Sequence, residues 1–324
     1  MLMASSANKI IALSGGVGGA KLAVGLAEVV SQDELLIVAN TADDFTHLGL
    51  RICPDLDTVM YNLAGIQNKA QGWGIEGETW QFMRQLGKLN GEDWFLLGDK
   101  DLATHTVRTQ LLQQGETLTA ISRGLFKQLG VAAKVVPMCN EPVSTQMQTD
   151  EGILSFQHYF VRRQCQPMVS AYQFSGIERA TIQPDFAAAL ADETLAAVII
   201  CPSNPFVSVE PILSVPGVRD ALRKTTAPII AVSPIIGGQA LKGPAAKMMA
   251  ELGMPQSATA VAQYYGDLID GFVIDNVDAG LQSEIEALGT ACITAQSIMK
   301  TQRDKTDLAN ICVDFAATIK GNIT

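Results

Sequence analysis

Short runs of unbroken apolar residues, each ended by glycine or a polar group, recur along the chain. Ile10 to Leu13 stops at Ser14 and a cluster of glycines, and Leu35 to Ala39 stops at Asn40-Thr41. Phe95 to Leu97 ends at Gly98-Asp99, and Ala196 to Cys201 ends at Pro202-Ser203-Asn204-Pro205. Ile229 to Val232 ends at Ser233-Pro234, and Phe272 to Ile274 at Asp275-Asn276. An apolar residue at every position suits a strand covered on both faces, the setting of a parallel sheet. Between the first two runs, Leu22, Leu26 and Val30 stand four apart and predict a helix over Ala20 to Val30. Strand, glycine turn, helix and strand form a βαβ unit. In a doubly wound sheet the polar residues that end such strands gather at the carboxyl edge, where ligands bind.

The middle of the chain reads differently. Residues 66–130 carry helical spacing, clearest over Trp80 to Leu86 and Leu118 to Leu129, whereas 135–175 alternate, as in LSFQHYFV, and predict antiparallel strands. The tail, 281–320, returns to helix, strand and helix. The expected fold is α/β, a Rossmann-like, doubly wound, mainly parallel sheet with a mixed helical and antiparallel insertion. Residues 1–65 and 181–324 would make the nucleotide-binding core and 66–180 the insertion.

Composition narrows the function classes. With 324 residues, 48% of them hydrophobic and 17% charged, the chain can bury a large core. A net charge of −10 opposes a nucleic-acid or anionic-membrane surface, since both need a basic face. It leaves room for a small anionic ligand. Six dispersed cysteines and three histidines form no zinc spacing, and reduced thiols in the cytoplasm are expected. No apolar run approaches the ~20 residues that span a bilayer. The N-terminus lacks the apolar stretch of a secretory signal. Any metal is expected to be a hard cation on carboxylates.

Two segments carry the candidate chemistry. Ser14-Gly15-Gly16-Val17-Gly18-Gly19-Ala20-Lys21 joins the first strand to the first helix. Glycines let backbone approach a ligand, and N–H groups at a helix start favour phosphate. A dinucleotide fingerprint fails, because Lys21 stands where its third glycine belongs. A Walker loop fails too, because Ala20 and Leu22 flank that lysine. Asn40-Thr41-Ala42-Asp43-Asp44 and Cys53-Pro54-Asp55-Leu56-Asp57-Thr58 then place four carboxylates beside that turn. Mg2+ would cancel their repulsion with phosphate oxygens, while helix capping is the other reading for Asp55 or Asp57. Gly98-Asp99-Lys100-Asp101 with His105 and Arg108 reads as a charged turn or a further part of the site. Ser233 to Pro244 repeats the strand–glycine–lysine order with Gly237, Gly238 and Lys242, which suits a diphosphate. Trp73 and Trp80 are core residues or a stacking face.

Taken together, LSGGVGGAKL, ANTADD, GLRICPDLDTVMYNLAG, GWGIEGETW, WFLLGDKDLATH, CPSNPFVSVEPIL and SPIIGGQALKGPA resemble the 2-phospho-L-lactate transferase family of coenzyme F-420 biosynthesis. These segments spread over roughly residues 10–250 in the family's order. Ala42 departs from the Gly expected before the paired acids. The resemblance implies transfer of a phospho-acid group (phospholactate, phosphoenolpyruvate or phosphoglycerate) from a guanosine diphosphate-linked donor. The acceptor would be the terminal ribityl hydroxyl of the deazaflavin Fo, with GMP released. It further implies Mg2+ dependence and a homodimer. On that reading Asp44 and Asp57 hold Mg2+, with Asp43 and Asp55 next. Gly15, Gly16, Gly18, Gly19 and Lys21, with Ser233, Gly237, Gly238 and Lys242, hold the diphosphate, and Ser203 and Asn204 contact the nucleotide. Thr58, Trp73, Asp99 and His105 face Fo, so the 66–180 insertion contributes to the acceptor site. The rival readings are a non-enzymatic nucleotide-sugar binder of the gluconeogenesis-factor type and an NAD-dependent dehydrogenase. Against the first, Asp43-Asp44 runs into FTHLGL and PDLDTV rather than a Gly-Ser-rich loop.

Overall fold

A computed structural model describes residues 9–323. The expectation about a leader falls largely on residues 1–8, outside the described residues. The main sheet is built from β1 (Lys9–Ser14), β2 (Leu35–Ala39), β3 (Lys134–Pro137), β4 (Leu195–Ile200), β5 (Ile229–Val232), β6 (Gly271–Asp275) and β7 (Ala291–Ala295). Its order is β7-β6-β5-β4-β1-β2-β3, and every neighbouring pair is parallel. The chain winds outward from β1 through β2 to β3, then crosses to β4 and continues the other way. The crevice at the carboxyl ends of β1 and β4 is therefore the topological switch point, where this class of sheet binds ligands.

Strand residues alternate between two cores, one on each face. Ile11, Leu13, Val38, Val198, Ile200 and Ala231 point into one. Ile10, Ala12, Ile37, Ala39, Ile199 and Val232 point into the other. That double burial is why these strands are apolar at every position. Against the second face pack α1 (Gly16–Val29), α2 (Pro54–Leu63) and the long C-terminal helix, whose residues Leu308, Ala309, Cys312 and Phe315 join this core. The C-terminal helix (Gln302–Ile323) approaches α1 so closely at Gly25 that a Cβ there would stand 2.1 Å from the Lys305 carbonyl oxygen. Gly25→Ala must push the helices apart and is expected to cost about 1–3 kcal/mol, read by urea unfolding. An unchanged midpoint would show that the contact is slack.

The insertion departs from its sequence reading in three places. β3 lies inside 66–180, yet it is the parallel edge strand of the main sheet, paired with β2. Phe95 to Leu97 is not a strand. Leu97 instead fills a small separate core with Ile52 and Met83, and Phe95 packs edge-on against Phe45 at 4.8 Å. Its apolar character serves that satellite core. LSFQHYFV is strand only at its start. Gly152–Ser155 pairs with Ser144–Thr149, but His158–Arg162 is a π-helical turn. The antiparallel sheet itself forms, with Ser144–Thr149 between Gly152–Ser155 and Val169–Ser175. The expected helices are present as α3 (Gln81–Lys88), α4 (Asp99–Gln113) and α5 (Leu118–Gln128).

Candidate functional site

Glycine at the switch point is required first by packing. Ser203, in the loop after β4, accepts from the Gly15 N–H at 3.1 Å, and its hydroxyl donates to the Gly15 carbonyl at 2.7 Å. A Cβ on Gly18 would meet the Pro202 carbonyl oxygen at 2.2 Å, and one on Gly19 the Ser203 Oγ at 2.5 Å. These contacts lock the start of α1 to the β4 loop. Gly16 alone has φ +61° with open space beside it. Its N–H does not face that space freely, because it donates to Asp55 Oδ1 at 2.7 Å. Two of the amides expected to cradle phosphate are thus spent on Ser203 and Asp55.

Asp55 and Asp57 stand in the first turn of α2, where carboxylates are favoured by the helix dipole. Neither caps α2 through its side chain, so the capping reading is not met. Asp55 is also fixed by Asn40, whose Nδ2 donates to Asp55 Oδ2 at 2.9 Å and to the Val207 carbonyl at 3.2 Å. Asn40 Oδ1 in turn accepts from the Ala42 N–H at 2.9 Å. One residue thereby joins the turn after β2, the start of α2 and the loop after β4. The antiparallel sheet braces the same turn. Thr145 donates to Asp43 Oδ1 at 3.3 Å, and Gln157 donates to the Asp43 carbonyl at 3.3 Å.

The acids are buried and poorly compensated. Burial, then the Asp55 and Asp44 charges, hold Asp43 well above the usual carboxylate range. Burial pushes Asp44 up to about 7 and Asp55 up to about 6. Arg51 reaches Asp44 Oδ2 at 3.3 Å, while Asp44 Oδ1 is buried without a hydrogen-bond partner. Asp57 differs, because the buried Arg108 guanidinium donates to both of its oxygens. Burial disfavours the Arg108 charge, but Asp57 more than restores it.

Arg108, His105 and Asp101 share one face of α4 and form a chain beneath Asp57. Arg108 Nη1 lies 3.2 Å from His105 Nδ1. A guanidinium only donates, so Nδ1 accepts and Nε2 carries the proton, 3.3 Å from Asp101 Oδ1. Tyr61 of α2 donates to the same Asp101 oxygen. Asp57, Asp101 and His105 each bring a carboxylate or imidazole atom within 4.8 Å of the others, the spacing of a metal site, but Arg108 already engages both Asp57 oxygens and His105 Nδ1. Spacing of 101, 105 and 108 along one helix face was the signal for it. Pairing with Asp57, 51 residues away in sequence from Arg108, had none.

Of the remaining candidates, only Lys21 and Lys242 come close enough for their charges to interact. Thr58 is buried in α2. His105 is 1% exposed and faces inward, not toward a ligand surface. Asp99 accepts from the Gln81 and Phe82 N–H groups, both at 3.1 Å, so it caps α3. Asn204 caps the Pro205–Val209 turn by accepting from the Phe206 N–H at 2.9 Å. Ser233 closes a local turn onto the Ile235 carbonyl. Gly237 and Gly238 both have positive φ and form the two-residue turn of a hairpin, Ile235–Ile236 with Gln239–Ala240. The Gly237 N–H donates to Asp278. Lys21 donates to the Met299 carbonyl at 2.9 Å and Lys242 to the Gln71 carbonyl at 2.7 Å. Trp73 is 40% exposed. An open groove of about 540 Å³ is lined by Trp80, Met83 and Leu96, with Gln71, Arg84 and Asp93, and Trp73 is not part of its lining.

Comparison with known proteins connects this geometry to a family. Residues 10–310 match the family described as 2-phospho-L-lactate transferase CofD. The phosphoenolpyruvate transferase of Kitasatospora aureofaciens is 38% identical over 319 residues, covering 96% of this chain and 99% of that protein. The 2-phospho-L-lactate transferase of Methanosarcina mazei is 38% identical over 304 residues, covering 94% and 99%. A solved UPF0052-family protein of Bacillus halodurans shares the fold, with a TM-score of 0.60 at 14% identity over 94% of this chain and 98% of that one. No helix among the described residues is long and apolar enough to cross a membrane. A nearly full-length match at this identity, on a sheet whose switch point carries the acid and glycine segments, places the chain in the 2-phospho-L-lactate transferase family, the phospholactate and phosphoenolpyruvate transferases of coenzyme F-420 biosynthesis.

Proposed function

We propose that this chain moves a phospho-acid group from a guanosine diphosphate-linked donor to the terminal ribityl hydroxyl of Fo, releasing GMP. The observation that carries this reading is the buried acid cluster at the switch point, with Asp43, Asp44 and Asp55 all shifted upward. Transfer at phosphorus depends on positioning and charge neutralisation more than on covalent catalysis. These acids suit a hard divalent cation. Their donors are oxygens, Asp44 Oδ1 lacks a partner, and no cationic side chain pairs with Asp43 or Asp55 among the described residues. We assign Mg2+ to Asp43 and Asp55, whose carboxylates face each other, with phosphate oxygens completing the shell and Asp44 beside them. The sequence ranked Asp44 and Asp57 first, but Arg108 already donates to both Asp57 oxygens. When bound, the cation would neutralise phosphate charge in the transition state. Asn40 fixes the Asp55 carboxylate against the β4 loop, and Thr145 holds Asp43.

Lys21 and Lys242 take the donor's diphosphate. The groove walled by Trp80, Met83 and Leu96 takes the planar ring of Fo. Asp99 and His105 act indirectly, Asp99 by anchoring α3 and His105 by supporting Arg108. The protein works as a cytoplasmic homodimer.

The test is turnover with Fo, Mg2+ and the lactyl, enolpyruvyl and glyceryl donors side by side, reading product mass. A product equal to Fo plus one phospho-acid is expected with at least one donor. Folded protein that binds nucleotide but gives no product with any of them would favour the regulatory binder instead.

A further inference from the structure

Four lysines from remote parts of the chain converge beside the first turns of α1. They are Lys21 in α1, Lys69 in the loop before α3, Lys242 after the glycine hairpin and Lys305 near the start of the C-terminal helix. Gly72 brings the Lys69 loop onto α1. A Cβ at Gly72 would stand 2.5 Å from Lys242 Nζ and 3.3 Å from Val17 Cγ1. Burial and the Lys242 charge lower the Lys21 pKa; burial, then Lys21 and Lys69, lower that of Lys305.

None of the four forms an ion pair among the described residues, where the lysine pairs belong to Lys9, Lys134 and Lys247. The ammonium groups of Lys21, Lys242 and Lys305 rest on neutral oxygens instead. Lys21 donates to the Met299 carbonyl, Lys242 to the Gln71 carbonyl, and Lys305 to Gln302 Oε1 at 3.5 Å. Glu76 meets the backbone N–H of Lys69, at 3.3 Å. Lys305 is mostly buried as a residue, and its half-buried ammonium has no counter-charge among the described residues. In a chain of net charge −10, gathering uncompensated cations at the carboxyl edge of the sheet requires an anion to be worthwhile.

We infer that Lys21, Lys69, Lys242 and Lys305 form one anion subsite for a diphosphate group, with Lys69 and Lys305 as binding residues beyond the glycine–lysine segments. The inference rests on the reading of the donor as a nucleoside diphosphate. It adds that the second phosphate is held by lysine side chains on the α1 face, because the Gly15 and Gly16 amides are already engaged.

The experiment is calorimetric binding of GDP, GMP and inorganic pyrophosphate to wild type, Lys69→Met, Lys305→Met and Lys305→Arg, each checked by its melting curve. Lys305→Met should weaken GDP and pyrophosphate about tenfold or more, and exposed Lys69→Met about threefold. GMP affinity should change less than twofold, and Lys305→Arg should stay near wild type. Raising the salt concentration should weaken GDP binding less steeply in both Met variants. GDP affinity within twofold of wild type in Lys69→Met and Lys305→Met overturns the subsite. If Lys305→Met fails to fold, Lys69→Met decides alone, since an exposed side chain there does not threaten the core. Wild-type protein that binds pyrophosphate through these lysines but no guanosine nucleotide would keep the subsite and reject the donor reading.

Discussion

Asp43→Asn is expected to lower turnover about 10²- to 10³-fold, the usual effect of deleting one preorganised electrostatic group. It should do so without loosening the fold. Asp43 is buried, and burial, Asp55 and Asp44 all favour its protonated form. A carboxyl whose folded-state pKa exceeds its unfolded value binds protons more tightly when folded. The stability that protonation supplies is present at low pH and lost as pH rises toward the folded pKa. For Asp44 that window runs from about 4 to about 7, and its full loss amounts to roughly 4 kcal/mol at most. The amide introduced by Asp43→Asn carries no charge at any pH and relieves its two acidic neighbours. Without a divalent cation, the melting temperature of the variant minus that of wild type should therefore grow between pH 5 and pH 8. Added Mg2+ should stabilise wild type more at pH 8, where protons no longer compete, and the variant less. Near-normal turnover, or a difference that shrinks as pH rises, would remove Asp43 from the cation site.

Arg108→Met should cost about 3–5 kcal/mol in urea unfolding, because it strands a buried carboxylate without its partner. Asp57 and Arg108 are 5% and 2% exposed, so water cannot replace the lost contact. Breaking one side of such a pair is far more damaging than replacing both by apolar residues. Arg108→Met with Asp57→Leu should accordingly recover most of the loss, and the double-mutant cycle would measure the pair. A single-variant cost under about 1 kcal/mol would mean that Asp57 finds another partner, and would return it to the list of cation ligands.

The order of the insertion's elements shows where local pattern misled. Leu97 and Phe95 are as apolar as a sheet strand, yet they cover Ile52 and Phe45 in a separate cluster. Apolar runs report burial, and burial alone does not choose between a sheet and a satellite core. Val135 and Val136 look like one more alternating stretch of the insertion. Only their pairing with Ile37 and Val38 makes them the edge of the main sheet.

The sequence by itself determined the doubly wound parallel core, because residues buried on both faces must be apolar at every position. It also determined which chain segments end at the carboxyl edge, and through them the family. Only the tertiary structure decided the electrical state of the site. Asp55 and Asp57 are two residues apart in one helix turn, yet one receives a backbone N–H and Asn40 while the other receives a guanidinium. Lys21 and Lys305 are both ordinary helix residues until packing at Gly25 brings their helices together. Hydrogen bonds and charge interactions act over a few ångströms of space, and separation along the chain does not set that distance.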